Sequence, residues 1–284
     1  MRRFEYFKPR SLEEAWELRA KIPDSLFIAG GTDVLVSIKN DECRPQALIS
    51  LRSIPGLAGI ETDDAFRIGA LTTICDIIHH PQLGRHYPVL VEAARSLGSI
   101  QIRNVATIGG NLCNASPCAD MALPLLVLEA TVRLQSPKET REVPISDFFK
   151  GPGTTFLSPP DILTDILLEP PQKTTKTCFI KKGRVNMDLA VASVAVLLEM
   201  EGKRCRKARI AAGSVAPIPL RLKKAEAVFE GAAVSSRSIA KAQQLAEDEI
   251  VPITDIRSSE EYRRQLTGVL VKRALERALD WSQA

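Results

Sequence analysis

Over the first 170 positions, some stretches space their apolar residues as an α-helix does and others as a β-strand does. Ser11-Leu-Glu-Glu14 has the form of a capping box, and the apolar stripe after it predicts a helix that ends near Ile22-Pro23. Further helices are predicted up to Ile78 (capped by Thr72 or Thr73), over 88–97 and over 121–129. Short apolar runs predict strands over 26–29, 47–51, 66–70, 131–135 and 162–168. Residues 34–39 are compatible with either a helical turn or a strand. Residues 151–155 are predicted to form a loop.

The pattern changes after Pro170-Pro171, which we take as the boundary between two domains, 1–171 and 172–284. The first domain is expected to comprise subdomains of about 1–60 and 61–171. In the second, apolar runs predict three consecutive strands over 176–182, 189–200 and 208–215, and then helices over 223–229, 238–249 and 258–280. The last helix is predicted to start with a capping box, Ser258-Ser-Glu-Glu261. Strands followed by helices favour an α+β fold class with a three-stranded antiparallel sheet in the second domain.

Two segments place paired glycines among small polar residues. Leu26-Phe-Ile-Ala-Gly-Gly-Thr-Asp33 follows a short strand, and Thr107-Ile-Gly-Gly-Asn-Leu-Cys-Asn-Ala-Ser-Pro-Cys-Ala-Asp120 follows an apolar–polar alternation. Glycine lets the backbone approach a ligand closely, and successive exposed amides in a turn form a concave anion site. One isolated pair is more typical of a tight connection between elements. Together, with hydroxyl and amide side chains in each predicted turn, the two pairs favour a diphosphate ligand gripped from two sides.

Composition and charge exclude several other classes. The chain has 284 residues, 45% hydrophobic and 25% charged, with a net charge of +4, which is typical of a globular protein. Basic residues form no block and aromatic residues are few, so nucleic-acid binding is not expected. The longest apolar run, 189–198, is far shorter than the roughly 20 residues that cross a bilayer. The N-terminus has no apolar core of an export signal, and the six dispersed cysteines are typical of reduced thiols in a cytoplasmic protein.

Other common sites lack their motifs. Neither glycine segment matches the dinucleotide-binding Gly-x-Gly-x-x-Gly pattern or the lysine-bearing phosphate loop. Cys113-x4-Cys118 starts an iron–sulfur spacing but has no third cysteine at the required interval. The three histidines have no metal-ligand spacing, and no Ser–His–Asp order argues for hydrolysis. We therefore expect no metal in this chain.

Four segments carry a resemblance to a known family: Ala29–Asp33, Ile102–Asp120, Ile145–Gly153 and Gly213-Ser-Val-Ala-Pro-Ile-Pro-Leu-Arg221. With them the chain resembles the FAD-binding (medium) subunit of the molybdenum hydroxylases, which include xanthine, carbon monoxide and nicotinate dehydrogenases. The resemblance extends over essentially the whole chain and is strongest to the separate FAD subunit of bacterial xanthine dehydrogenases. It implies a two-subdomain FAD-binding domain of the PCMH type, followed by a C-terminal domain of the carbon monoxide dehydrogenase flavoprotein type.

The resemblance also implies which residues bind FAD. They are Leu26, Phe27, Ile28, Ala29, Gly30, Gly31, Thr32, Asp33, Thr107, Ile108, Gly109, Gly110, Asn111, Cys113, Asn114, Asp120, Ile162, Leu163 and Lys181. Asp120 is expected either to accept hydrogen bonds from sugar or ribityl hydroxyls or to cap the helix over 121–129. Relatives often have lysine where Ile180 stands, and Lys181 or Lys182 is expected to replace it, although an exposed lysine at a strand end is the more common situation.

The resemblance implies an electron-transfer subunit with no catalytic residue of its own. Electrons would pass from [2Fe–2S] centres on a small partner subunit, through non-covalent FAD in this chain, to NAD⁺ or another acceptor. The molybdopterin would lie on a large subunit, and the complex would be a dimer of heterotrimers. Two alternatives remain: a self-contained flavin oxidase acting on a small substrate, for which no base can be nominated, and a cofactor-free assembly scaffold.

Overall fold

The first unit of the fold is a small parallel sheet with two helices. The computed structural model describes residues 3–62, 65–170 and 172–280. The elements of the first unit are β1 (Glu5–Phe7), α1 (Leu12–Lys21), β2 (Ser25–Ile28), α2 (Val34–Lys39) and β3 (Ala47–Ser50), before a 3-10 turn at Leu51–Ser53. The strand order is β1-β3-β2, all parallel, and every residue of the central β3 is buried. The segment that the sequence left open, 34–39, is helical.

The second unit is built on a five-stranded antiparallel sheet in the order β4-β5-β10-β6-β7. Its strands are β4 (Ile60–Thr62), β5 (Phe66–Gly69), β6 (Thr131–Gln135), β7 (Thr140–Pro144), β8 (Phe149–Gly151), β9 (Thr154–Thr155) and β10 (Ile162–Leu168). Its helices are α3 (Ile74–His79), α4 (Pro81–His86), α5 (Pro88–Ser96), α6 (Ile100–Arg103), α7 (Ile108–Cys113), α8 (Ala122–Val127) and α9 (Ile145–Phe148). The large apolar core of this unit includes the whole of α8.

The C-terminal domain is one antiparallel sheet covered by three helices. Its elements are β11 (Thr175–Lys182), β12 (Ala192–Glu201), β13 (Arg204–Gly213), β14 (Leu220–Arg221), α10 (Lys223–Ala227), α11 (Ser236–Glu249) and α12 (Glu260–Ala278). Strand β12 is buried on both faces: Val194 and Val196 pack with the helices of this domain, whereas Ala195 and Leu197 join the core of the second unit. The sheet therefore lies as a layer between the two.

The α+β class predicted from the sequence is confirmed, with differences in detail. The C-terminal sheet has a fourth strand, β14, which the sequence did not predict. With only two residues it is too short to show the alternation of apolar and polar residues that indicates a strand. The predicted loop at 151–155 forms part of the small β8–β9 hairpin. Pro171, half of the proposed domain boundary, lies outside the described residues. Among those residues, no helix is both long and apolar enough to span a membrane.

Neither predicted capping box forms as expected. The first forms only in part, and the cap of the last helix lies one residue further along the chain. Ser11 caps α1 by accepting from the amide of Glu14, but the Glu14 carboxylate accepts from the amide of Arg10 (2.7 Å) instead of Ser11. The last helix is capped by Ser259, which accepts from the amide of Tyr262 (3.2 Å), and not by Ser258. A Ser-Ser pair offers two equivalent caps in sequence, but the backbone of Ser258 is already bonded to Asp255, to whose carboxylate its amide donates (3.1 Å).

Candidate functional site

All three units meet at one cavity of about 470 Å³, within the range of small-molecule and cofactor sites. Its lining includes every residue predicted from the resemblance except Ile108: Leu26, Phe27, Ile28, Ala29, Gly30, Gly31, Thr32, Asp33, Thr107, Gly109, Gly110, Asn111, Cys113, Asn114, Asp120, Ile162, Leu163 and Lys181. Ile108 is fully buried in the core of the second unit, so its side chain does not face the cavity.

The segment that joins β2 to α2 forms one wall, and its glycines serve two different needs. Gly31 has φ +80°, a left-handed conformation that other residues adopt only with strain. Gly30 lies against the chain that leads into α7, where an added Cβ would stand 2.1 Å from the carbonyl oxygen of Val105. Within the described residues, the amides of 30–33 donate no backbone hydrogen bond. This wall therefore offers a run of main-chain donors to a ligand.

The second glycine segment is not the turn predicted from the sequence, because Gly109 and Gly110 lie inside helix α7. Thr107 caps this helix by accepting from the amide of Gly110 (3.0 Å). The amide of Ile108 donates to Thr72 (3.1 Å), that of Gly109 to the carbonyl oxygen of Ala70 (2.8 Å), and that of Asn111 to Thr107 (3.0 Å). These amides already have protein acceptors, so the expectation of a second amide-lined anion turn is wrong.

Gly109 instead allows α7 to pack closely on Ala70, the residue that follows β5. A Cβ added to Gly109 would stand 2.6 Å from the Cβ of Ala70 and 2.7 Å from its carbonyl oxygen. Such a contact leaves room for no side chain at all. The helix is brought to the cavity wall in this way, and what it offers a ligand is side chains: Asn111, Asn114 and the exposed Cys113. The side-chain oxygen of Asn111 also accepts from the amide of Met121 (3.2 Å).

A buried ion pair forms part of the cavity lining. The Nζ of Lys181 on β11 lies 2.6 Å from one carboxylate oxygen of Asp120 and donates to the carbonyl oxygen of Ser96 (3.2 Å). The other carboxylate oxygen, Oδ1, is buried without a hydrogen-bond partner among the described residues. Burial raises the pKa of Asp120 to about 6, and the attraction of Lys181 opposes that rise. A buried carboxylate oxygen with no donor costs free energy, so the site is prepared for a ligand hydroxyl or N–H.

The structure decides two alternatives that the sequence left open for this pair. The position that caps α8 is Met121, with no side-chain hydrogen bond, so Asp120 is not the helix cap. Of the two candidate lysines, Lys181 lines the cavity and Lys182 is exposed. Strand alternation places them on opposite faces of β11.

Several cavity residues were missed because only tertiary contacts bring them there. Leu97, Gly98 and Ile102 lie at the end of α5 and on α6, and Met187, Asp188 and Leu189 belong to the loop between β11 and β12. The remaining missed residues are Val34, Leu51, Ala70, Leu71, Ala106, Cys118, Leu157 and Asp161. Gly98, which follows α5, has φ +47°, and Cys118 lies in the second glycine segment, where its spacing suggested only a cluster ligand.

Two carboxyl groups besides Asp120 change the electrostatics of the lining. Burial raises the pKa of Asp33 above its usual value, although a long hydrogen bond from Thr32 opposes the shift. Arg184 holds the pKa of Asp188 below its usual value. Within the described residues, no three His, Cys, Asp or Glu side chains form a group able to hold a metal ion. The amides of 30–33, the apolar lining and the unpartnered oxygen of Asp120 suit the anionic, apolar and hydroxyl parts of an organic ligand.

Comparison with known families identifies the two parts of the chain. Residues 2–170 match the model of the FAD binding domain in molybdopterin dehydrogenase, and residues 178–278 match the carbon monoxide dehydrogenase flavoprotein C-terminal domain. The chain belongs to this family of FAD-binding medium subunits. The resemblance drawn from the glycine segments is thereby confirmed. The chain is an oxidoreductase subunit of the molybdenum hydroxylase family.

Individual relatives within the family cover nearly the whole chain. It is 34% identical to the carbon monoxide dehydrogenase medium chain of Afipia carboxidovorans over 277 residues, which cover 97% of this chain and 96% of that one. It is 31% identical to the xanthine dehydrogenase FAD-binding subunit of Escherichia coli O157:H7, covering 96% and 95%. The solved carbon monoxide dehydrogenase of Hydrogenophaga pseudoflava superposes with a TM-score of 0.96 at 33% identity, covering 98% of both chains. Relatives thus differ in the reaction their names state while sharing this fold.

The cavity fits the FAD that the family binds. The free amides of 30–33 suit a diphosphate, since successive main-chain N–H groups bind anions. Leu26, Phe27 and Leu163 supply apolar wall, and the unpartnered oxygen of Asp120 suits a hydroxyl donor.

Proposed function

We propose that this chain holds FAD non-covalently in the cavity between its three units and serves as the electron-transfer subunit of a molybdenum hydroxylase. FAD, when bound, supplies chemistry that accepts and releases electrons either singly or in pairs. The chain binds and orients the cofactor and sets the charge around it through Asp120 and Lys181. The observation that carries the proposal is the run of unpaired amides at 30–33, which faces the same cavity as the buried ion pair.

The proposed partners are a small subunit with [2Fe–2S] centres and a large subunit with the molybdopterin, assembled as a dimer of heterotrimers. Relatives are named as medium chains, which supports a complex with further subunits. Electrons would arrive from the small subunit and leave for NAD⁺ or another acceptor. The six cysteines are free thiols, which supports a reducing, cytoplasmic location. The substrate would be chosen by the large subunit, because this chain has no group of metal ligands among its described residues.

The test is to purify the native complex, identify the copurifying chains by mass spectrometry, and release the cofactor with acid for chromatography. One FAD per copy of this chain, and reduction of the flavin only when the partners are present, are the expected results. A colourless chain that does not take up added FAD would refute the proposal. A chain that, isolated alone, reduces its flavin with an organic substrate would instead support a self-contained oxidase.

A further inference from the structure

The Asp120–Lys181 ion pair joins two domains at the cavity wall. Lys181 is on β11 of the C-terminal domain, whereas Asp120 precedes α8 and Ser96 ends α5, both in the second unit. Exposed fractions of the side chains are 9% for Lys181 and 5% for Asp120. A pair so poorly hydrated is costly to bury, and its attraction offsets that cost only when the remaining polar atoms are also satisfied.

One polar atom of this pair is not satisfied by the protein. The Oδ1 of Asp120 has no hydrogen-bond partner in the described part of the chain, and Asp120 lines the cavity. The Lys181 ammonium has both the other carboxylate oxygen and the Ser96 carbonyl oxygen. Asp120 lines the cavity, so a ligand bound there is placed to supply the donor that its Oδ1 lacks.

A second contact holds the same strand without facing the cavity. The backbone amide of Phe179 donates to the carboxylate of Glu92 on α5 (2.8 Å), and Arg277 of α12 lies 3.3 Å from the other oxygen of that carboxylate. Glu92 does not line the cavity. Besides the apolar packing of Phe179, polar side chains attach β11 to the second unit at two places, and of these only the Asp120 contact lies at the cavity.

We propose that Lys181 is a positioning residue that couples FAD binding to docking of the C-terminal domain. A hydroxyl or N–H of bound FAD donates a hydrogen bond to the free oxygen of Asp120. Because both oxygens of the carboxylate are then bonded, it holds Lys181, and with it β11, more firmly against α5. This inference rests on the FAD site proposed above. By thermodynamic linkage the coupling is reciprocal, so a firmly docked β11 binds FAD more tightly.

The test measures FAD affinity and amide hydrogen exchange of the full chain, with and without FAD. In the wild type, FAD is expected to slow exchange in the β11 peptide, 175–182. Lys181→Met and Asp120→Asn should each weaken FAD binding by about 10- to 100-fold, the loss typical of a charge-assisted hydrogen bond, and should abolish the FAD-dependent slowing of β11. The double variant should lose much less than the sum of the two single losses, because the two residues act through one contact.

Two controls separate coupling from ordinary destabilisation. Lys182→Met changes an exposed lysine next to Lys181 and should leave both readouts unchanged. Glu92→Gln should speed exchange of β11 with and without FAD, yet keep the FAD-dependent slowing. Asp120→Asn keeps the shape of the side chain, so the test stands even if Lys181→Met does not fold.

Two results would overturn the inference. If wild-type chain binds FAD without slowing exchange in β11, or if Lys181→Met behaves like Lys182→Met, the coupling does not exist while the FAD site stands. If the wild type does not bind FAD at all, the proposed function fails and takes this inference with it.

Discussion

The two glycine pairs of the cavity look alike in sequence and are used in opposite ways. Around Gly30-Gly31 the backbone is irregular, and the amides of 30–33 are left without backbone acceptors among the described residues. Around Gly109-Gly110 the backbone is helical, and its amides are bonded to Ala70, Thr72 and Thr107. The first segment offers main-chain donors to a ligand, although its Gly30 also packs tightly against Val105. In the second segment, Gly109 lets a helix approach its neighbour Ala70 closely.

The difference shows that a Gly-Gly motif in a sequence does not reveal whether the glycines make room for a ligand, for a neighbouring element or for an unusual backbone conformation. At Gly109 the approaching group is the backbone of Ala70. At Gly31 a positive φ is the reason for glycine, and an added Cβ would meet only the ends of two side chains at 3.2 Å. Substitutions can therefore separate the structural pair from the ligand-binding pair.

The largest effect is expected for Gly109→Ala. The new methyl group would overlap both the Cβ and the carbonyl oxygen of Ala70, and backbone cannot rotate away as a side-chain end can. Overpacking of this kind costs up to about 3 kcal/mol of unfolding free energy, measured by urea denaturation of the FAD-free chain. Gly110→Ala is the matched control: its closest contact is the hydroxyl of Thr107 at 2.9 Å, a side-chain atom, so it should cost no more than the loss of that cap, about 1 kcal/mol. Equal stability of Gly109→Ala and wild type would show that α7 does not need this approach.

The next effect is the pH dependence that Asp120 adds to stability. Its folded pKa of about 6 is above the ordinary 3.8, so its favourable contribution is complete below pH about 4 and is lost as the pH rises through about 6. The FAD-free Asp120→Asn variant should therefore gain stability relative to wild type as the pH rises from about 4 to just above 6, by at most about 3 kcal/mol. Lys181 loses its partner in the variant, which reduces this gain.

Urea denaturation of both proteins at several pH values gives the measurement. Asp33, whose pKa is also raised by burial, is present in both proteins and cancels in the difference. A stability difference that does not change with pH would show that Asp120 titrates at its ordinary value.

A smaller effect is expected for Gly31→Ala, which forces alanine into a left-handed conformation. The strain costs about 1–2 kcal/mol of unfolding free energy. Gly56→Ala is a matched control, because Gly56 has the same φ of +80°, has nothing within 4 Å of an added Cβ, and does not line the cavity. The two variants should lose similar stability, but only Gly31→Ala should also bind FAD more weakly in a fluorescence titration. Equal FAD affinity of both variants would remove the distinction between the glycine pairs.

The smallest effect is expected at the residues that precede helices α7 and α2. Thr107 caps α7 through its hydroxyl, so Thr107→Ala should cost about 1 kcal/mol of unfolding free energy. Asp33 stands at the same position before α2 but makes no capping hydrogen bond. Asp33→Ala should therefore leave the unfolding free energy within about 0.5 kcal/mol of wild type. A loss as large as that of Thr107→Ala would mean that the first segment also depends on a cap.

Elements with a strong local period could be predicted from the sequence, and those that depend on tertiary contacts could not. Strands over 131–135 and 162–168 were placed to the residue because their apolar runs are bounded by turn signals. Helix α7 was taken for a turn, because Gly-Gly disfavours a helix locally and only the contact with Ala70 explains it.

The candidate site shows the same limit. Family resemblance brought together residues near 30, near 110 and near 162, since these lie in recognisable motifs. It could not show that the loop at 187–189 reaches the cavity, or that the chosen lysine is bonded to Asp120, because both depend on how the C-terminal sheet packs on α5. Which of these residues contact FAD stays a prediction.

Strand β12, apolar on both faces, has a consequence for the order of events during synthesis. A nascent chain that has reached residue 170 still lacks the layer that covers α5 and α8, and it also lacks Lys181 and the 187–189 loop. The lining of the pocket is therefore complete only after β11 and the loop that follows it have been synthesised. We expect tight cofactor binding only from that point of translation onward.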